Sequence, residues 1–294
     1  MLYYCKNHQK GFVPDIIKKD LEQYKFVFNP SFVSLNTRQY WAFRCYSELR
    51  KEILAIIYIY DESNSSLLIH DLNSIFKEKY NLKPADPKLF RIEDKVYCTL
   101  NTGYSANIEN SVFLMQISED KFNIRRCIIE KRSMVEKNWA FFEQDGVLKM
   151  LYSISPICKT YVLSSESESE VFFKEEKAVR NDLNPITIGT QPVLNGNTIY
   201  LVGHRKYSFL KKRLYLGVPV KIDIKTLSVK KGPVFLVHSL FSMLGNRFKF
   251  NKNLISCTYV SGLQLDFAAQ QAKIAYGIND VSWQTMQVNL DDLW

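Results

Sequence analysis

The sequence predicts an all-β protein, a five-bladed propeller with a short N-terminal extension of helix and strand, and three observations carry that prediction. Apolar and aromatic runs of roughly four to eight residues alternate with Asn, Asp, Gly and Pro, the pattern of strands and tight turns. Five short polar-then-apolar starts recur, at Asn29 of NPSF, Asp86 of DPKLF, Asn138 of KNWAFF, Gln191 of TQPVL and Ser261 of VSGLQL, separated by 57, 52, 53 and 70 residues. From each start an aromatic-rich strand follows at a near-constant distance: Arg44, Asn101, Ser153 and Tyr276 lie 15 residues on, and His204 lies 13 on.

A repeat of about 50–60 residues holding two well-marked strands and two weaker ones has the size of a four-stranded blade. Five such units make one closed domain over residues 1–294, and closure removes the exposed sheet edges. In chain order, residues 15–24 (DIIKKDLEQY) form a short helix outside the ring. Residues 52–60 (EILAIIYIY) read as a strand, far shorter than the roughly 18 apolar residues that span a bilayer. Residues 67–80 read as an amphipathic helix capped by Asp71 or Asn73. The Ser/Glu stretch at 163–173 reads as a solvated loop, and the basic stretch at 204–215 (HRKYSFLKKRLY) as an exposed loop and strand edge. A last strand at 286–290 is expected either to pair within the same blade as N-terminal residues or to stand beside Tyr276 as an outer strand.

With 294 residues, 46% hydrophobic and 14% aromatic, the chain can bury a large core. Its six cysteines (Cys5, Cys45, Cys98, Cys127, Cys158, Cys257) form no C-x-x-C pair, which argues against zinc and fits free thiols in a reducing compartment. With no signal-peptide pattern, the expected location is cytoplasmic, with contact at the inner face of a membrane open to a chain of net charge +9. Nucleic-acid binding would rest on charge alone and is not expected. The sequence has no G-x-G-x-x-G, phosphate-loop, H-E-x-x-H or G-x-S-x-G motif, and it implies no metal or organic cofactor.

In order and spacing, FNPSFVSLNTRQYWAFRC, DPKLF, EKNWAFFEQDGVLKMLYSISP, GTQPVLNGNTIYLVGH, YLGVPVKIDIKTLSVKKGPVFLV and SGLQLDFAAQQAKIAYGINDVSW resemble the blade motifs of glycoside hydrolase family 130. The resemblance runs over residues 26–280 and implies a five-bladed propeller that phosphorylises or hydrolyses mannosides. By that resemblance Asp86 stands where the family has the proton-donating aspartate of Glu-Asp-Pro-Arg, while Ala85 and Lys88 replace its usual neighbours. Asn29, Lys137 and Asn138 match positions lining the sugar cavity, His204 matches the histidine of a Tyr-His-Gly strand, and Arg44 and Asp280 align with recurrent polar positions. Arg44 also reads as a salt bridge between blades.

A sugar ring calls for amides, carboxylates and cations around it, because each hydroxyl both donates and accepts, with an aromatic over one face. Trp139 and Tyr276 are the aromatic candidates, and Asn101, equivalent to Arg44 in the second repeat, joins the binding set with Lys88 and Arg205. Ser153 stands where the family's phosphorylases carry a phosphate-binding arginine; Lys88, Arg132, Lys137 and Arg205 are the cations that could compensate. Hydrolysis needs a carboxylate base, for which Glu136 and Asp280 are candidates. Three classes fit: an enzyme acting on a mannoside or related glycoside with Asp86 as general acid, taking an oligosaccharide and inorganic phosphate or water; a glycosyltransferase of surface-polysaccharide assembly using a sugar nucleotide; and a non-catalytic glycan-binding propeller.

Overall fold

The computed structural model describes residues 1–4, 11–103, 109–118, 121–239 and 251–294; Cys5 lies outside the described residues. After β1 (Leu2–Tyr4) and α1 (Asp15–Leu21) come five successive antiparallel groups. The first is β2 (Phe26–Leu35), β3 (Arg38–Ser47), β4 (Glu52–Asp61) and β5 (Ser66–Asp71), paired in that order. α2 (Leu72–Tyr80) leads to the second, β6 (Pro84–Ile92), β7 (Lys95–Thr102), β8 (Val112–Ile117) and β9 (Phe122–Ile129). The third is β10 (Ala140–Gln144), β11 (Val147–Ser153), β12 (Ile157–Glu166) and β13 (Glu170–Arg180), whose outer strand pairs in parallel with β9.

In the fourth group the first strand is split into β14 (Thr187–Ile188) and β15 (Val193–Asn195), followed by β16 (Thr198–Phe209), β17 (Lys212–Asp223) and β18 (Val229–Lys231). β19 (Phe235–Val237) pairs in parallel with β1. The fifth group is β20 (Leu254–Asp266), β21 (Gln271–Ile278) and β22 (Ser282–Asn289), and β22 lies beside Tyr276, one of the two expected arrangements.

These strands are buried on both faces because alternate residues feed two different cores. On β3, Tyr40 and Ala42 join residues of the second group, whereas Trp41, Phe43 and Cys45 join Ala275 and Trp283 of the fifth and Ile17 and Leu21 of α1. Three further cores lie between the second and third, third and fourth, and fourth and fifth groups. Each group therefore packs against two neighbours, and the first meets the fifth. The ring's axis is marked by a cavity of about 390 Å³ lined by Phe32, Leu89, Phe141, Val193 and Leu263, one from the leading strand region of each group. The architecture is a β-propeller.

Side chains replace a backbone ladder between neighbouring first strands. Ser261 Oγ donates to Pro30 O at 2.8 Å, and Ser31 Oγ accepts from Leu89 N at 2.8 Å. Gln191 accepts from Phe141 N at 2.8 Å and donates to Trp139 O at 3.0 Å.

Several elements differ from expectation. Only the second half of 67–80 is helical: Ser66–Asp71 completes the first sheet against β4, and Asp71 then caps α2 by accepting from Asn73 N and Ser74 N. The Ser/Glu stretch is the end of a hairpin rather than a loop, since β12 and β13 stay paired to Glu166 and Val171. The basic stretch is likewise a continuous hairpin. Cys45, Cys98, Cys127, Cys158 and Cys257 are buried free thiols, and burial pushes each thiol up in pKa.

Candidate active site

Three of the repeat's starting residues sit in left-handed backbone, Asn29 at φ 51°, Asp86 at 51° and Asn138 at 61°. Around the first two the ladder slips, between Phe28 and Ser31 and between Ala85 and Lys88. Asn and Asp tolerate this region best among non-glycine residues, yet a residue before proline is ordinarily extended. Asn29 and Asp86 therefore hold strain on the order of 1–3 kcal/mol each. The bulge frees their side chains from the strand's alternation and lets them meet across two groups.

Asp86 stands at the centre. Its Oδ1 lies 3.0 Å from Arg44 Nη1 and accepts from Asn29 Nδ2 at 3.4 Å. Arg44 comes from β3, where it pairs with Phe28, and its guanidinium lies 5.2 Å from that ring's centroid. The buried Lys88 Nζ donates to Asn138 Oδ1 at 2.9 Å, and the Tyr259 hydroxyl donates to the same oxygen at 3.1 Å. The Tyr259 ring stacks on His204 with centroids 4.2 Å apart, and Lys88 Nζ lies 5.6 Å from its centroid. All five groups thus contribute a side chain.

Two glycines make room for this cluster. A Cβ on Gly277 would fall 2.5 Å from Asn29 Oδ1, and one on Gly189 would fall 2.9 Å from His204 Nε2 and 2.4 Å from Val202 O. Asn29 Oδ1, Arg44 Nε and His204 Nε2 are buried without a hydrogen-bond partner among the described residues. Buried polar groups are normally paired, so three orphaned atoms within one polar cluster set it apart from the cores around it.

The electrostatics divide the ionisable groups. Burial pushes the Asp86 carboxyl up, but the Arg44, Lys88 and Lys137 cations and the Asn29 hydrogen bond outweigh it and hold the pKa below the ordinary value. Burial pushes the Asp280 carboxyl up; Asn251, donating at 3.3 Å, and Arg44 oppose this, while the charge of Asp86 reinforces it, and the pKa is raised. Lys88 is pushed down to about 7 by burial, against the attraction of Asp86. His204 is pushed down to about 3, chiefly by burial and then by Lys88, and is neutral.

No family model matches the sequence, and no curated protein matches it. The fold is shared with solved structures: a putative glycosidase from Bacteroides thetaiotaomicron (TM-score 0.63, 10% identity, 90% of this chain and 88% of that one). It is also similar to a putative glycoside hydrolase from Bacteroides ovatus (TM-score 0.59, 12% identity, 92% and 89%). A third is a β-1,2-mannobiose phosphorylase from Listeria innocua in complex with β-1,2-mannobiose (TM-score 0.57, 12% identity, 92% of each chain). At these identities the likeness is one of fold.

The structure gathers Asn29, Arg44, Asp86, Lys88, Asn138 and His204 into one cluster, with Lys137 and Asp280 in its electrostatic field. Arg44 is both a bridge between groups and a member of the cluster. Asn101 lines a cavity of only about 10 Å³ with Asp86, Lys88 and Asn138, and its amide donates to Thr102 O.

Other candidates are placed elsewhere. Glu136 accepts from Ser133 N, Trp139 Nε1 and Tyr152 Oη, so its carboxylate is committed to holding the segment before β10. Trp139 and Tyr276 are 2% and 0% exposed and belong to the cores between groups, where neither can cover a sugar. Arg205 follows His204 on β16 and lies over Tyr207, on the other face. Ser153 Oγ donates to Ile157 O. Tyr259 was missed; it lies two residues before the Ser261 start, on the face that alternation gives to the cluster. Among the described residues no three His, Cys, Asp or Glu side chains gather as metal ligands.

Proposed function

We propose that the protein is a glycoside hydrolase built on a single five-bladed ring, with Asp280 as proton donor and Asp86 as the ionised carboxylate that activates water. What carries this reading is that one cation, Arg44, couples two carboxyl groups whose pKa values are displaced in opposite directions. Such divergence is how paired carboxylates acquire separate acid and base roles. Asp280 gives its proton to the glycosidic oxygen as the bond to the sugar breaks, and Asp86 takes a proton from the attacking water. This reading moves the acid role from Asp86 to Asp280, because Arg44 at 3.0 Å favours the form of Asp86 that has no proton to give.

The same feature favours hydrolysis over phosphorolysis. Phosphate is already an anion and needs no base, whereas water does. Shared fold with proteins named as glycosidases supports the substrate class, and a β-mannoside is the first substrate to test. Sugar release from a panel of nitrophenyl glycosides, with and without phosphate, is the assay. Asp86→Asn and Asp280→Asn are each expected to lower turnover by about two to four orders of magnitude without changing the thermal midpoint by more than a few degrees. An Asp86→Asn variant as active as wild type would overturn the assignment. Sugar 1-phosphate as product would make the protein a phosphorylase, and binding without turnover a glycan-binding propeller.

A further inference from the structure

β16 outruns its own sheet. β15 pairs with it at Thr198–Tyr200 and β14 at Gly203 and His204, but beyond His204, among the described residues, its one pairing strand is β17, as far as the Phe209 and Lys212 pair. The strand runs from the cavity end of the axis, where Val193 faces Tyr200, to the end where His204 stacks on Tyr259. β20 flanks the hairpin on its β17 side as far as Arg213, which pairs with Leu254, so among the described residues only the tip, residues 209–212, reaches past its neighbouring strands, at the candidate-site end of the ring.

Its tip is built against local preference. Leu210 and Lys211 both adopt left-handed backbone, at φ 45° and 64°, in a two-residue turn that Asn-Gly would form with the least strain. The side chains, not the turn, account for those residues. Phe209 and Leu210 are 68% and 80% exposed at the apex, with Tyr207 half-exposed behind them. Arg205, Lys206, Lys211, Lys212 and Arg213 surround them, and no Asp or Glu occurs from His204 to Ile222. At the same end of the ring, the turn between β3 and β4 presents Leu49, 94% exposed, beside the exposed Lys51.

We infer that this hairpin docks the protein on an anionic lipid bilayer, Phe209 and Leu210 entering the acyl boundary while the flanking lysines and arginine meet headgroup phosphates. An acidic protein surface would match the cations but leave the two apex side chains without a pocket. A bilayer receives both layers, apolar tip below and cations above. No helix among the described residues is long and apolar enough to cross a membrane, so attachment would be peripheral. Docked this way, the ring turns its Asp86 end to the lipid, and the glycan it meets is one carried on that membrane.

Sedimentation with vesicles tests this without any activity assay. Wild type is expected to bind vesicles of phosphatidylcholine with about one third phosphatidylglycerol, to ignore pure phosphatidylcholine, and to bind roughly tenfold less as salt rises from about 0.05 to 0.5 M. Phe209→Ser should lower binding about tenfold. Leu210→Asn with Lys211→Gly installs the favoured turn, so it should melt no earlier than wild type yet lose binding by at least about tenfold. Wild type that ignores the anionic vesicles would overturn the proposal and leave an acidic protein as the tip's partner. So would an Asn-Gly variant that binds as wild type does.

Discussion

At one end of the first strands stand Asn29, Asp86 and Asn138, in left-handed backbone, with orphaned polar atoms and a cation-carboxylate pair. Three residues further along the same strands stand Phe32, Leu89 and Phe141, which line a wider cavity and contribute to the cores between groups. The small polar end and the roomier apolar end differ by one turn of side chains on shared backbone. What this teaches is that the ring's stability comes mainly from the apolar length of each strand. That leaves the first residues free to be strained and charged.

The comparison would break if damage at the two ends had similar consequences. Phe141→Ala removes a ring stacked on Phe90 and is expected to cost about 3–5 kcal/mol in denaturant unfolding. Asp86→Asn should stay within about 1 kcal/mol, since both members of the Arg44 pair are about one fifth exposed. Equal losses would mean that the polar cluster, not the apolar length, holds the ring.

A smaller effect is expected midway. Gln191→Ala leaves Phe141 N and Trp139 O without partners between two buried strands, so it should cost about 1–3 kcal/mol. Hydrogen exchange at Phe141 should quicken with it. A variant as stable as wild type would show that apolar packing alone fixes the third group against the fourth.

A pH-dependent effect sharpens the comparison further. Lys88 has a pKa of about 7 folded and an ordinary, higher value unfolded, so the unfolded chain binds more protons between about pH 7 and 10 and stability rises with pH across that window. From pH 7 to 9 the wild type should gain about 1–2 kcal/mol relative to Lys88→Met. A constant difference between the two proteins would show that Lys88 keeps its proton inside the fold.

The repeat was legible because register is a length. Phe28 pairs with Arg44, Ala85 with Asn101 and Val260 with Tyr276, so a bulge plus a hairpin of fixed length produces the 15-residue spacing. The interval of 13 in the fourth repeat has its cause in the break of the first strand between Ile188 and Val193. Less legible was the facing of aromatic residues: Trp139 is adjacent to Asn138 and so points to the opposite face, into a core. Tyr259 carried no motif, and the charge states of Asp86 and Asp280 depend on an arginine supplied by the first group, a relation no local pattern records.

Among the described residues β2–β5 are consecutive and take no strand from the last group, while β1 joins the fourth group's sheet through β19. As the chain emerges from its N-terminal end, Arg44 and Asp86 can be paired once the second group has formed. Tyr259 and Asp280 come only with the fifth, whose arrival lets Ser261 reach Pro30 and seals the ring. A partly synthesised chain thus holds one carboxylate already locked to its cation and lacks the other. If the proposed hydrolase reading holds, chemistry at this site would begin only when the circle is complete, and activity would report that assembly has finished.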